Sequence, residues 1–213
     1  MRSEVAQVAG IPLRRGQLEG LALHTYVPRR GRGGRHYADA FSVALWLSKV
    51  GLAPRTWATD MAELLVDLVP PEARWLAYPP AGRKRRARGF YLAAELATAI
   101  GAALGLPVLE PLRWCAGGGE DSKALVHHAG KGRALGRKAT CSAELAGEVV
   151  ALVDDLWTTG ITAEACAEAL CVAGAGSVFV VALAVTEDTK ARPSWERARI
   201  RARQEANHGR RNA

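Results

Sequence analysis

The chain has 213 residues, 49% of them hydrophobic, and carries 29 Lys and Arg against 21 Asp and Glu for a formal net charge of +8. That length and apolar content suffice to bury one sizeable core, the absence of a recurring period excludes a solenoid, and no apolar run reaches the length of a bilayer-spanning helix. A basic balance of this size favours polyanionic partners, although it is also compatible with plain solubility.

The opening "MRSEVAQVAGIPLRRGQ" holds no signal-type hydrophobic region, so a cytoplasmic location without membrane insertion is expected. Residues 1–71 read as a helical and basic segment, a cap or a lobe. Within it, "HYADAFSVALWLSKVG" (36–51) has helical apolar spacing and a terminal glycine, and "WATDMAELLVDLV" (57–69) follows as a second helix stopped by Pro70 and Pro71. "RWLAY" (74–78) is a short strand closed by Pro79 and Pro80. A basic loop, "GRKRRARGF", leads into the helix "FYLAAELATAIGAALG", after which "LPVLEPLRW" (106–114) returns as a strand. From residue 115 to 140 the sequence is rich in Gly, Lys, Arg and His with little periodicity, as in a mobile loop.

Strand "EVVALV", helix "TAEACAEALCVAGA" and strand "SVFVVALAV" complete a βαβ unit. Short unbroken apolar strands belong to parallel sheets covered on both faces, so the fold class is α/β, an open and mainly parallel sheet with helices on both faces. Residues 72–190 form this domain, and 191–213 are a basic tail that reads as a helix starting at Ser194 or, equally, as a frayed terminus. The four cysteines, Cys115, Cys141, Cys166 and Cys171, lack the spacing of a zinc knuckle and read as reduced thiols, mostly small core residues.

The candidate site is "VVALVDDLWTTGIT". In an open parallel sheet ligands bind outside the carboxyl ends of the strands, where Asp154 and Asp155 stand. Two adjacent carboxylates repel unless something cationic or rich in hydroxyls sits on them. The following Thr158, Thr159, Gly160, Ile161 and Thr162 turn into a helix, and free N–H groups at a helix N-terminus make an anion site. Phosphate on the threonine loop, with sugar hydroxyls or a hydrated Mg²⁺ at the acids, describes a ribose 5-phosphate. Paired acids after a strand also occur in phosphoacceptor receiver domains, but early in the fold and without this threonine-glycine loop.

"VALVDDLWTTGIT" resembles the phosphoribosyl diphosphate (PRPP) binding motif of type I phosphoribosyltransferases. The stretch "YPPAGRKRRARGFYLAAELATAIGAALGLPVL" is similar to a characteristic run of the ComF family of competence-associated phosphoribosyltransferase-like proteins, and the resemblance extends from about residue 21 to 185. It implies a type I phosphoribosyltransferase-like fold and a PRPP or nucleotide ligand bound with Mg²⁺ through water at Asp154 and Asp155. It also implies diphosphate contacts from Arg83, Lys84, Arg86 and Arg88, and a role in DNA uptake beside other competence or DNA-processing proteins.

The departures bear on turnover more than on binding. The four-cysteine zinc module common in ComF-like proteins is missing, Trp157 and Tyr91 replace an aliphatic residue and an asparagine, and in "EDSKALVHHAGKGRALGRKA" only Arg133 survives of the family's loop pattern. Thr158 stands where purine-salvage members have an acid that handles the base proton, and a pair of loop histidines, His127 and His128, is more often solvated than catalytic. The resulting expectation is a phosphoribosyl-binding protein of DNA uptake, with an active PRPP-dependent transferase as the alternative. Arg83, Lys84, Arg85, Arg86 and Arg88 lie between Tyr78 and the Phe90–Tyr91 pair, and Arg29, Arg30, Arg32 and Arg35 between Tyr26 and Tyr37. Cations interleaved with aromatics suit single-stranded DNA, where the former track phosphates and the latter stack on bases.

Overall fold

The apolar run before the paired acids forms β9 (Val149–Asp154), and β10 (Ser177–Thr186) lies parallel to it with Ala182 beside Asp154. The computed structural model describes residues 10–31, 34–37, 39–53, 56–82, 89–109, 112–115 and 138–186, with the backbone alone for 28–31 and 34–37. On the other side of β9 come β5 (Ala73–Ala77) and then β6 (Val108–Leu109), both parallel. Beyond β10 the sheet continues through β2 (Leu18–Tyr26), parallel to β10, to β1 (Ile11–Arg15), which runs antiparallel at the edge. The six strands stand in the order β1-β2-β10-β9-β5-β6.

Successive residues of a strand face opposite sides, so the unbroken apolar sequence of β9 serves two cores. Ala151 and Val153 pack with α1 (Ala40–Lys49), α2 (Thr56–Leu65) and α3 (Leu92–Leu104) through Leu45, Leu65, Leu96 and Ile100. Val150 and Leu152 pack with α4 (Ile161–Val172) through Cys166 and Leu170, together with Leu13 and Ala22. This is the expected α/β class, an open and mainly parallel sheet with helices on both faces.

Several boundaries differ from the sequence reading. The helix expected over 36–51 begins only at Ala40: Asp39 caps it, its side chain accepting from the Ser42 N–H at 2.7 Å, while Gly34–Tyr37 is β4, antiparallel to β3 (Pro28–Gly31). Residues 106–114 hold two short strands in place of one, β6 in the main sheet and β7 (Arg113–Trp114) in a separate pair with β8 (Ala139–Thr140). The expected loop over 115–140 therefore ends in a strand, and its residues 116–137, with His127, His128 and Arg133, lie outside the described residues. Of the cysteines only Cys166 is buried, and Cys171 is exposed. The boundary expected at residue 71 falls inside one sheet and one core, because β1 and β2 come from before it and α2 packs on α3 from after it. Among the described residues no helix is long and apolar enough to cross a membrane. The tail expectation at Ser194 lies outside the described residues.

Candidate functional site

The parallel strands β2, β10, β9, β5 and β6 all end at the same edge of the sheet, and the paired acids stand near its middle. Asp154 closes β9 and Asp155 follows it, only 7% and 3% exposed. Burial of two neighbouring carboxylates is costly without compensation. Part of that compensation is local, since Asp154 Oδ1 accepts from the Asp155 N–H at 2.9 Å. Part is distant: Lys49 Nζ donates to Asp155 Oδ1 at 2.7 Å, in an ion pair whose side chains are 21% and 4% exposed.

Lys49 is delivered by the way α1 is docked. Val27 N–H, just past the end of β2, donates to Ser42 Oγ at 3.2 Å, and Ser42 in turn donates to Asp39 Oδ2 at 3.0 Å, fixing the start of the helix against the sheet. Leu45 is fully buried one turn on, and Lys49 follows one turn later, in the last turn, where a cation also complements the helix dipole.

Beyond Asp155 the chain passes through Trp157, which is 6% exposed and bridges to the end of β10: its N–H donates to Ala184 O at 2.8 Å and its carbonyl accepts from Thr186 N–H at 2.8 Å. The tryptophan that departs from the phosphoribosyltransferase motif is thus a floor for the loop. Thr158 and Thr159 are exposed above it, and Ile161 and Thr162 are half-buried at the start of α4. Gly160 is the residue before α4, in the left-handed conformation at φ 74°, and no side chain caps the helix. An uncapped first turn leaves backbone N–H donors for an anion. In α1 the Asp39 carboxylate fills the equivalent place.

The acidic residue in the first turn of α4, Glu164, would oppose an anion there, but Arg15 neutralises it. Its Nε donates to Glu164 Oε2 at 2.5 Å, and its Nη1 donates to Thr159 O at 2.6 Å. One guanidinium from β1 therefore ties the threonine loop to α4. Neither Lys49 nor Arg15 figures among the residues expected from sequence. Each had a signal: Lys49 is the single charged residue of "AFSVALWLSK", and Arg15 follows Ile11 and the buried Leu13 at two-residue spacing on one face of β1.

Past the carboxyl end of β5 lies a cleft of about 580 Å³ walled by Tyr78, Phe90, Tyr91, Leu112, Arg113 and Trp114. Tyr78 and Tyr91 meet edge to face at 6.0 Å between centroids, and Trp114 Nε1 donates to Pro80 O at 2.8 Å. The expected diphosphate and DNA residues Arg83, Lys84, Arg85, Arg86 and Arg88, and Arg32, lie outside the described residues. Arg29, Arg30 and Arg35 stand on the β3–β4 hairpin, with Arg30 opposite Arg35.

Asp155 is in an ion pair with Lys49, and among the described residues no three His, Cys, Asp or Glu side chains gather as a direct metal site; a Mg²⁺ held through water at Asp154 and Asp155, as expected from the sequence, would need no such group.

No family model matches the chain, and no curated protein matches it in sequence. Solved structures with a likeness include an allosteric regulatory enzyme of purine biosynthesis, 21% identical with a TM-score of 0.42, covering 61% of this chain and 26% of the other. Glutamine PRPP amidotransferase from B. subtilis is 21% identical with a TM-score of 0.41, covering 59% and 26%, so the chain spans about a quarter of the length of these two structures. A purine phosphoribosyltransferase from Pyrococcus horikoshii Ot3 is 19% identical with a TM-score of 0.40, covering 65% and 77%.

Proposed function

We propose that the protein binds a 5-phosphoribosyl ligand, ribose 5-phosphate or a molecule containing it, at the carboxyl end of β9. One observation carries the reading: two carboxylates more than nine-tenths buried stand at that strand end, and the loop after them opens into the uncapped first turn of α4. Backbone N–H groups of that turn would take the phosphate, with Thr158, Thr159 and Thr162 near enough in sequence to add hydroxyl donors. A carboxylate accepts and does not donate, so Asp154 and Asp155 would select the hydroxyls of the sugar at the other end of the same ligand. Arg15 keeps the loop in place and cancels Glu164. A role for such binding in DNA uptake is supported by the resemblance of the sequence to the ComF family alone.

The alternative is turnover, in which a nitrogen nucleophile forms a bond to the anomeric carbon of PRPP while the bond to pyrophosphate breaks and the nucleophile's proton leaves to a base. The site has a place for the sugar and its phosphate, yet the motif supplies no general base, since Thr158 occupies that position. Binding is therefore the better supported of the two.

Thermal stabilisation of the full chain by ribose 5-phosphate tests the proposal. A ligand at a hundredfold excess over its dissociation constant stabilises by about 2.7 kcal/mol. Wild type is expected to respond and Asp154→Asn to lose most of the response while keeping its own melting transition. Equal responses in the two proteins would sink the site assignment. Release of pyrophosphate from PRPP with a panel of bases would favour turnover.

A further inference from the structure

We propose that Arg15 is a phosphate ligand of this site and makes it select phosphorylated sugars. The inference rests on the phosphoribosyl reading and names the side chain that reads the phosphate. Arg15 comes from β1, and its two side-chain contacts lie 144 and 149 residues further along the chain, so its place at the threonine loop is made by the fold. A guanidinium has five N–H donors in one plane. Glu164 Oε2 accepts from Nε at 2.5 Å, and the Thr159 carbonyl accepts from Nη1 at 2.6 Å. Both donors of Nη2 and the second of Nη1 have no hydrogen-bond partner among the described residues, and the side chain is 34% exposed.

Gly160 sets where those donors stand. A Cβ built on that residue would lie 2.8 Å from Arg15 Cδ, so the arginine stem runs across the residue that precedes α4. At the start of α1 the residue in the same position is Asp39, whose carboxylate accepts from the Ser42 N–H at 2.7 Å. An oxyanion that took the equivalent place at α4 would meet the N–H groups of the first turn on one side and the guanidinium on the other. Such two-sided contact suits a phosphate, because its oxygens accept several charge-assisted hydrogen bonds at once. Glu164 is the rival acceptor: it lies in the first turn of α4, where its negative charge opposes that of the ligand. Its bond to Nε orients the guanidinium and leaves the donors of Nη2 unused. A sugar without a phosphate offers these donors no anion, so the ligand class that fits is a sugar phosphate.

Isothermal titration of the full chain with ribose 5-phosphate tests the assignment, because ligation and a purely structural clasp predict opposite signs for one variant. If Arg15 and Glu164 only hold the loop, Glu164→Gln loosens the clasp and the ligand binds less tightly. If Arg15 ligates the phosphate, Glu164→Gln removes an opposing charge and leaves the guanidinium in place, and binding tightens by about two- to fivefold. Arg15→Gln, which can still donate to the Thr159 carbonyl but carries no charge, should weaken binding by about tenfold or more. An Arg15→Gln protein that binds as wild type does, or a Glu164→Gln protein that binds no more tightly than wild type, would overturn the role of Arg15 and leave the phosphoribosyl reading standing. No binding by wild type would overturn that reading and the role of Arg15 with it. If Arg15→Gln does not fold, Glu164→Gln, a change at a half-exposed side chain, still decides.

Discussion

Gly160 holds φ at 74°, and a Cβ built there would come within 2.6 Å of Trp157 Cζ2 and 2.8 Å of Arg15 Cδ. Two separate demands therefore meet at one residue: a left-handed backbone that turns the chain from the loop into α4, and a close approach to the indole floor. The Trp157 ring is anchored through its backbone to Ala184 and Thr186, so it has little freedom to retreat. Arg15 is held from two sides, by Glu164 and by the Thr159 carbonyl. Placing a non-glycine residue in such a conformation costs about 1–3 kcal/mol. Gly160→Ala is therefore expected to lower the melting temperature by at least about 2 °C, given the usual 2–4 °C per kcal/mol for a chain of this size. It should also weaken ribose 5-phosphate binding by moving the first turn of α4. An unchanged melting curve, followed by circular dichroism, would show that the loop does not have this geometry.

At the level of elements, the βαβ unit was the legible part. "VVALV" and "SVFVVALAV" are unbroken apolar runs because β9 and β10 are covered on both faces, and the acids follow at the strand end. The first two strands were hidden for physical reasons. β1 lies at the sheet edge and carries Arg14 and Arg15. Charges of that kind keep an edge from pairing with another chain, and they also interrupt the apolar alternation that would mark a strand. β2 turns Leu18, Gly20 and Ala22 inward, and two of these three are too small to register as core. Gly20 must be small, since a Cβ there would run into the carbonyl of Val180 on β10. The pairing of Lys49 with Asp155 was beyond reach for a different reason: a contact across 106 residues leaves no local pattern. These elements decide what a truncated chain can do. A protein starting at residue 72 loses β1, β2, α1 and α2 and uncovers β10, α3 and Asp155. It is expected to show no cooperative thermal transition and to bind a hydrophobic dye. A sharp melt from that fragment would mean that the first 71 residues form a separable lobe after all.

For the whole molecule the relevant quantity is charge, +8 over 213 residues, and where the fold puts it. The β3–β4 register sets Arg30 opposite Arg35 and Arg29 opposite His36. The hairpin follows β2 immediately and precedes α1, so it projects from the carboxyl edge of the sheet, the edge that carries the acids. A polyanion on this hairpin would be read by its phosphates, with little sequence preference, and single-stranded DNA is the form in which aromatic residues can stack on the bases as well. The prediction is that a labelled single-stranded oligonucleotide binds in a fluorescence anisotropy assay, with affinity falling by about 0.7 log units per contacted phosphate for each tenfold rise in salt. Replacing Arg29, Arg30 and Arg35 by Gln together should reduce both the affinity and the steepness of that fall. Thermal stabilisation by ribose 5-phosphate should survive the same replacements, because these positions belong to β3 and β4 and the proposed phosphate loop follows β9. A salt response as steep in the triple variant as in wild type would move any DNA contact elsewhere on the chain. A flat response in wild type would rule out DNA binding through phosphate contacts.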